Sequence, residues 1–107
     1  MPIPYMVREI LIIKIKPGKE KEALQKINEY LRFKKRHTGC IRATLEIPVL
    51  TPKKIKKGKI YLLYSEYSSM EEYHRVSQDV KNKFGFLFYF KNLLLGKPIY
   101  GVFSPKE

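Results

Sequence analysis

Apolar and polar residues alternate along two segments of the chain, and this period of two predicts β-strands. The first segment is Tyr5 to Lys16 and the second is Lys59 to Tyr67. In the first segment, the apolar residues on one face are Val7, Leu11, Ile13 and Ile15, and those on the other are Ile10 and Ile12. A strand that is apolar on both faces is typical of a central strand covered on two sides. We therefore expect helices to cover one face of the sheet and other protein surface to cover the second.

Two further segments place apolar residues three and four positions apart, which predicts amphipathic helices. The first helix is expected over Lys19 to Lys35, after Pro17-Gly18 has ended the strand. Its apolar positions are Ala23, Leu24, Ile27, Tyr30 and Leu31. The second helix is expected to start at Ser69, because Ser68 and Glu71 have the spacing of a capping box. Its predicted buried stripe consists of Met70, Tyr73, Val76, Ser77 and Val80.

The remaining segments complete a β-α-β-β-α-β order. Cys40 to Pro48 predicts the second strand, which should form a long-looped hairpin with the third, and Gly39 before it is expected in the left-handed conformation. Phe84 to Leu95 is apolar nearly all round and should be buried on several sides, and Ile99 to Phe103 predicts a short last strand. The expected fold is α+β, a single ferredoxin-like domain over residues 1–107 with a four-stranded antiparallel sheet.

Length and composition indicate a single-domain protein with a strong positive charge, but they do not indicate its function. A chain of 107 residues suits one domain, and its formal net charge of +12 could attract nucleic acid, anionic lipid or an acidic substrate. Lys and Glu are plentiful while Asn and Gln are few, a balance typical of thermophile proteins. The aliphatic run Ile10 to Ile13 is far too short for a membrane span or a signal peptide, so we expect a cytoplasmic protein that does not enter membranes.

Cys40 is the only cysteine of the chain, so no intrachain disulfide can form. The sequence has no CxxC pair or His-rich cluster with the spacing of metal ligands, and we predict no metal site. Because Cys40 stands at the start of an apolar run, we expect it to be a small buried hydrophobic residue and not a nucleophile.

Three short motifs stand at the starts of predicted elements: Pro17-Gly18-Lys19 before the first helix, Gly39-Cys40 at the second strand, and Tyr67-Ser68-Ser69 at the second helix. Each motif is weak alone, but their order and spacing over nearly the whole chain resemble the antibiotic biosynthesis monooxygenase family. Members of that family are dimeric α/β barrels in which two four-stranded sheets face each other. The resemblance therefore implies a homodimer whose partner subunit covers the second apolar face of the sheet.

The activities of this family differ from branch to branch. They include cofactor-independent oxidation of quinol-like or polycyclic phenols, haem degradation, and small-molecule binding without known chemistry. The haem-degrading branch uses a strand Asn, a Trp and a helix His, whereas this chain has no Trp and no Asn between Tyr5 and Lys16. The resemblance thus implies a cofactor-independent monooxygenase that binds a small aromatic or apolar ligand in a barrel cavity. The alternative is a non-enzymatic small-molecule-binding or stress-response protein on the same barrel.

A cofactor-independent monooxygenase needs groups that take the proton of the substrate and hold its oxyanion, and Tyr, His and Arg side chains suit those tasks. The frequent Trp of the family at the end of the third strand is Tyr67 here, and a Tyr of the monooxygenases falls near Tyr73. The candidate catalytic residues are therefore Tyr67, Tyr73 and His74. The candidate substrate-binding residues are Arg42, Tyr64, Phe84 and Phe88, and the aromatic segment from Phe84 to Phe90 is expected to close the cavity. The simpler alternative is that the tyrosines are core aromatics and that His74 lies on the surface.

Nucleic-acid binding is a further alternative, prompted by the basic runs 32–37 and 53–59. A protein that binds single strands sets exposed aromatic residues among its basic ones. The two basic runs contain a single aromatic residue other than His, Phe33. We therefore expect the lysine-rich loop to be a solvated surface and disfavour nucleic acid as a partner.

Overall fold

The structure is a computed structural model that describes residues 6–49, 59–85 and 90–106. The elements are β1 (Val7–Ile15), α1 (Glu20–Lys35), β2 (Cys40–Glu46), β3 (Lys59–Tyr67), α2 (Met70–Phe84) and β4 (Ile99–Phe103). The β-α-β-β-α-β order predicted from the sequence is confirmed.

The four strands form one antiparallel sheet in the order β2-β3-β1-β4. This is the ferredoxin-like arrangement, in which the first and third strands lie at the centre. In the register of the sheet, Glu9 of β1 lies between Ser65 of β3 and Val102 of β4. The sheet therefore places a carboxylate near its middle, next to a hydroxyl residue of a neighbouring strand.

Both helices cover the same face of the sheet and bury every second residue of β1. The core includes Leu11, Ile13 and Ile15 of β1, Ala23 and Ile27 of α1, and Val76 and Val80 of α2. Cys40 is buried in this core, as its apolar neighbours predict. Among the described residues, three polar or charged side chains are buried with the apolar ones: Glu9, Lys34 and Ser65.

The opposite face of the sheet carries apolar residues that no described element covers. We call this surface the open sheet face; its apolar residues are Ile10, Ile12, Ile60, Leu62, Ile99 and Phe103. Ile99 and Phe103 are 66% and 50% exposed. Two clefts of about 210 and 280 Å³ on this face share Ile12 and Ile60 in their walls. The sequence prediction that the sheet is apolar on both sides is confirmed.

The start of α2 differs by one residue from the prediction. Ser69 is the N-cap, its hydroxyl accepts a hydrogen bond from the backbone N–H of Glu72, and the helix begins at Met70. The chain contains two overlapping Ser-x-x-Glu patterns, and the second one forms the cap, while Ser68 is exposed. Met70 is also 46% exposed, so it does not belong to the buried stripe.

Gly39 is required for a different reason than the one predicted. The glycines with positive φ among the described residues are Gly18, Gly85 and Gly96, so Gly39 does not adopt the left-handed conformation. A Cβ on Gly39 would instead lie only 2.6 Å from the Cβ of Glu72 on α2. The absence of a side chain therefore lets the segment between α1 and β2 approach the first turn of α2.

The predicted apolar segment from Phe84 to Leu95 divides into a helix end and a turn. Phe84 is the last residue of α2, and the left-handed Gly85 ends the helix. Phe90 and Leu93 are buried, and Leu94 forms a bridge with Ile15. Positions 86–89 lie outside the described residues. Within the described ranges, neither helix is long and apolar enough to cross a membrane.

Candidate functional site

A buried carboxylate lies between the helices and the sheet. Glu9 sits on the face of β1 that points toward the helices, at a position where its strand neighbours Val7 and Leu11 are core residues. Only 3% of its surface is exposed. A buried carboxylate requires partners for its charge and its lone pairs, and side chains from three other elements, α1, β3 and β4, supply them.

Lys34 of α1 is the counter-ion. Its ammonium donates hydrogen bonds to Oε1 of Glu9 and, at 3.1 Å, to the hydroxyl of Ser65. The same ammonium lies 4.5 Å from the centroid of the Tyr30 ring. Lys34 is as deeply buried as Glu9, so the pair is a salt bridge shielded from water.

Three tyrosines complete the group. The hydroxyl of Tyr67 donates to Oε1 of Glu9 at 2.6 Å, and that of Tyr100 donates to Oε2 at 2.5 Å. The hydroxyls of Tyr73 and Tyr100 lie 2.5 Å apart. We call the side chains of Glu9, Lys34, Ser65, Tyr67, Tyr73 and Tyr100 the Glu9 cluster. It joins one residue or more from β1, α1, β3, α2 and β4.

Glu9 is ionised in this environment. Burial works to raise the pKa of its carboxyl, but the charge of Lys34 and the hydrogen bonds from Lys34, Tyr100 and Tyr67 outweigh burial and lower the pKa below its usual range. Burial likewise works against the Lys34 ammonium, while Tyr30 and Glu9 beside it raise the pKa of Lys34 above its ordinary value. Both members of the pair are therefore charged at neutral pH.

The two tyrosines bonded to Glu9 remain protonated. Burial raises the pKa of the Tyr100 hydroxyl, and the negative charge of Glu9 raises it further. Burial and the same carboxylate raise the pKa of Tyr67, against an opposing effect of Lys34. Each hydroxyl is thus a stable hydrogen-bond donor to Glu9.

In the hydrogen bonds that link Tyr73, Tyr100 and Glu9, each hydroxyl donates its proton toward Glu9. An ionised carboxylate is only an acceptor, so Tyr100 must give its single proton to Glu9. The proton in the bond between Tyr73 and Tyr100 must then come from Tyr73. This leaves lone pairs on the Tyr73 oxygen, which accepts no hydrogen bond from any other described residue. Tyr100 is 40% exposed, so this end of the cluster reaches the surface.

The predicted catalytic residues lie together but differ in role. The rings of Tyr67 and Tyr73 contact each other edge to face, with centroids 5.4 Å apart. Tyr67 has no exposed surface and acts inside the cluster, whereas Tyr73 lies at its surface end. His74 is exposed, and its ring lies 5.3 Å from that of Tyr73.

The predicted substrate-binding residues lie elsewhere. Arg42 is exposed on β2 opposite Glu66, and the hydroxyl of Tyr64 donates to Glu66 at 2.9 Å, which places this group on the side of the sheet away from Tyr67. Phe84 packs edge to face on Phe33 between the two helices. Phe88 lies outside the described residues, and its role stays a prediction.

Sequence reasoning missed Glu9, Lys34 and Tyr100, although the first two left a signal. Glu9 has the period of the buried face of β1, and Lys34 lies three and four residues after Leu31 and Tyr30 of the buried helix stripe. A charge on each of two buried surfaces that pack together indicates an ion pair. Tyr100 left no comparable signal, since its partner is set by strand order alone. Within the described part of the chain, no group of His, Cys, Asp or Glu side chains is arranged to hold a metal ion.

Comparisons with known proteins agree on the fold. No family model and no curated protein sequence matches the chain. Among solved structures, a conserved protein from Methanosarcina mazei has a TM-score of 0.80 at 13% identity, with 97% of this chain and 96% of that chain covered. A variant of SnoaB, a cofactor-independent oxygenase from Streptomyces nogalater, has a TM-score of 0.68 at 18% identity, with 95% and 94% covered.

A provisionally named antibiotic biosynthesis monooxygenase from Nitrosomonas europaea is similar as well, with a TM-score of 0.69 at 12% identity. It covers 95% of this chain, and 91% of its own chain is covered. At such identities the likeness shows the fold alone. The chain therefore shares the ferredoxin-like fold of these monooxygenases over nearly its full length.

Proposed function

We propose that this protein is a cofactor-independent monooxygenase that oxidises a small phenolic or quinol-like molecule at the surface end of the Glu9 cluster. The observation that carries the proposal is the chain of hydrogen bonds from Tyr73 through Tyr100 to the ionised Glu9. Such a chain can accept the proton of a bound hydroxyl, which is the first requirement for oxidation of a phenol without a cofactor. The shared fold with a cofactor-independent oxygenase supports it.

In the proposed reaction, Tyr73, Tyr100 and Glu9 accept the proton of the substrate, and molecular oxygen then oxidises the ring. The substrate hydroxyl donates to the oxygen of Tyr73, and its proton moves by exchange along Tyr73 and Tyr100 to Oε2 of Glu9. The resulting phenolate is rich in electrons and reduces molecular oxygen. One oxygen atom bonds to a ring carbon and remains as a quinone carbonyl. The O–O bond breaks, and the second atom leaves as water with the hydroxyl proton and the hydrogen of that ring carbon.

We also propose that the working unit is a homodimer formed through the open sheet face. Its apolar residues would otherwise remain in contact with water at a cost on the order of 25 cal/mol per Å². Pairing two such faces would enclose Ile12, Leu62 and Ile99 of both copies. The Glu9 cluster lies on the other side of each sheet, so each copy would carry its own site.

A non-enzymatic ligand-binding protein is the second candidate. The observation in its favour is that Tyr67 is fully buried with its hydroxyl bonded to Glu9, as in a satisfied protein core. In that case the Glu9 cluster would serve stability and specificity of the fold alone. The two candidates differ in turnover and can be separated by experiment.

The test is oxygen uptake with a panel of hydroquinones, naphthols and polycyclic phenols. Tyr73→Phe and Tyr100→Phe each remove one link of the proton path, so each should lower the rate by about a hundredfold or more. Tyr64→Phe is the matched control, because it removes a hydroxyl from the other face of the sheet and should leave the rate unchanged. No uptake by the parent protein across the panel would overturn the proposal and favour the second candidate.

A further inference from the structure

Lys34 is buried inside the Glu9 cluster and does not reach its surface end. Its ammonium contacts the inner oxygen of Glu9, Oε1, whereas Tyr100 contacts the outer oxygen, Oε2. Both charged side chains are almost fully buried, with 3% and 4% of the side-chain surface exposed. Without its counter-ion, a carboxylate at this depth would take up a proton, because an unpaired buried charge is costly.

The ionisation of Glu9 determines which oxygen donates and which accepts in each hydrogen bond between Glu9 and the tyrosines of the cluster. While Glu9 is an anion, Tyr67 and Tyr100 donate to it, Tyr73 donates to Tyr100, and lone pairs point outward. A protonated Glu9 would instead be a donor, and Oε2 could give its proton to Tyr100. The outer hydroxyls could then turn round and present a proton to the ligand.

We propose that Lys34 is a positioning residue that sets the direction of this hydrogen-bond chain and so makes its surface end selective for neutral hydroxyl donors. A phenolate brings no proton to the Tyr73 oxygen and is repelled by the negative charge of Glu9. An aryl ether has no proton to donate either. The proposal rests on the proposed function only in taking the Tyr73 end as the place where a ligand binds.

The charged and polar groups around Glu9 come from each element that packs on it. They are Lys34 and Tyr30 from α1, Ser65 and Tyr67 from β3, Tyr73 from α2 and Tyr100 from β4. Lys34 is the only cation in this group. Replacing Lys34 with an apolar residue therefore changes the net charge around Glu9, whereas the same change at any of the other five partners does not.

The experiment measures binding of para-nitrophenol, whose neutral and ionised forms absorb at different wavelengths, over a pH series that spans its own ionisation. The parent should bind the neutral form, and its affinity should fall by about tenfold or more as the probe ionises. Para-nitroanisole, the methyl ether, should bind about as weakly as the phenolate. In Lys34→Met the preference for the neutral form should disappear or reverse.

Two further variants keep the result decisive. Lys35→Met removes the same charge from the adjacent, exposed position of α1 and should retain the parental preference. Glu9→Gln removes the negative charge and keeps a side chain of similar shape. It should lose the preference for the neutral phenol even if Lys34→Met does not fold. Loss of the preference in Lys35→Met would contradict the proposal, because net charge and not the Glu9 cluster would then explain it.

The binding measurement tests the role of Lys34 whether or not the protein oxidises a phenol. Phenolate binding by the parent as tight as that of the phenol, or no binding of either form, would overturn the role of Lys34 even if oxygen uptake occurs. Selective binding of the neutral phenol without oxygen uptake would leave this inference standing and reject the monooxygenase.

Discussion

At the scale of single residues, the main feature is a carboxylate that the fold buries and then surrounds with donors. Glu9 receives hydrogen bonds from Lys34, Tyr67 and Tyr100, and these outweigh the cost of its burial. A hydrogen bond to a charged group contributes about 1.5–3 kcal/mol. Removal of one donor should therefore affect stability far more than removal of an exposed hydroxyl.

Two tyrosines on alternate faces of β3 provide a matched pair for this prediction. Tyr67→Phe should lower the free energy of unfolding by about 1.5–3 kcal/mol, because Glu9 loses a buried donor. Tyr64→Phe removes a hydroxyl that bonds Glu66 near the surface, and it should cost about 1 kcal/mol or less. Urea unfolding measures both values. Equal losses would mean that the buried hydrogen bond to Glu9 stabilises the fold no more than the bond to Glu66 does.

The charged pair also predicts a pH dependence of stability. The folded pKa of Glu9 lies below its unfolded value of about 4.3, so its contribution is present above that pH and disappears as the pH falls. The folded pKa of Lys34 lies above its unfolded value of about 10.4, so its contribution is present below that pH and is lost as the pH rises. The pair therefore stabilises the fold between these two values.

The double variant Glu9→Leu with Lys34→Met removes both titrations and keeps an apolar contact in their place. Its free energy of unfolding should depend less on pH below about pH 4 than that of the parent. Lys34→Met alone should cost about 3–5 kcal/mol at neutral pH, and the double variant should recover part of that loss. Equal acid slopes for parent and double variant would contradict the ionised state assigned to Glu9.

At the scale of elements, the start of α2 depends on one cap. Ser69→Ala removes the acceptor for the backbone N–H of Glu72 and should lower stability by about 1 kcal/mol. Ser68→Ala changes the neighbouring exposed serine and should have almost no effect. Thermal unfolding of the two variants distinguishes the true cap from the other Ser-x-x-Glu pattern, and an equal effect of both would reject the assignment.

The order of elements was predictable because each one is encoded locally. The alternation in β1 and β3, the helical stripe of α1 and the limits of β4 are periodic patterns that short-range backbone geometry dictates. The site was not predictable in the same way, because Glu9, Lys34 and Tyr100 are far apart in sequence and meet only through the strand order. Arg42 and Tyr64 were expected at the site with Tyr67, but both lie on the open sheet face. Alternation along β3 places Tyr64 there, whereas an irregularity in β2 between Cys40 and Arg42 shifts the register and places Arg42 there. The face that a strand residue occupies thus depends on the register of the sheet and not on nearness in sequence.

At the scale of the whole molecule, we expect a dimer formed through the open sheet face. Leu62→Glu places a charge in the middle of the open sheet face, so the dimer should dissociate while the core on the helix side stays intact. Light scattering at micromolar concentration reports the mass, and circular dichroism reports the fold. Glu71→Lys, which alters the charge of an exposed position on α2, is the control that should remain dimeric. A parent that is monomeric under these conditions would contradict the paired sheets.

Turnover under isotopically labelled oxygen gas, followed by mass spectrometry of the product, shows whether the Glu9 cluster supports insertion of one oxygen atom into a phenol. We expect one labelled atom in the quinone formed by the parent and by Tyr64→Phe, and almost no labelled product from Tyr100→Phe. A product without label, or equal labelling in Tyr100→Phe, would rule out this role of the Glu9 cluster.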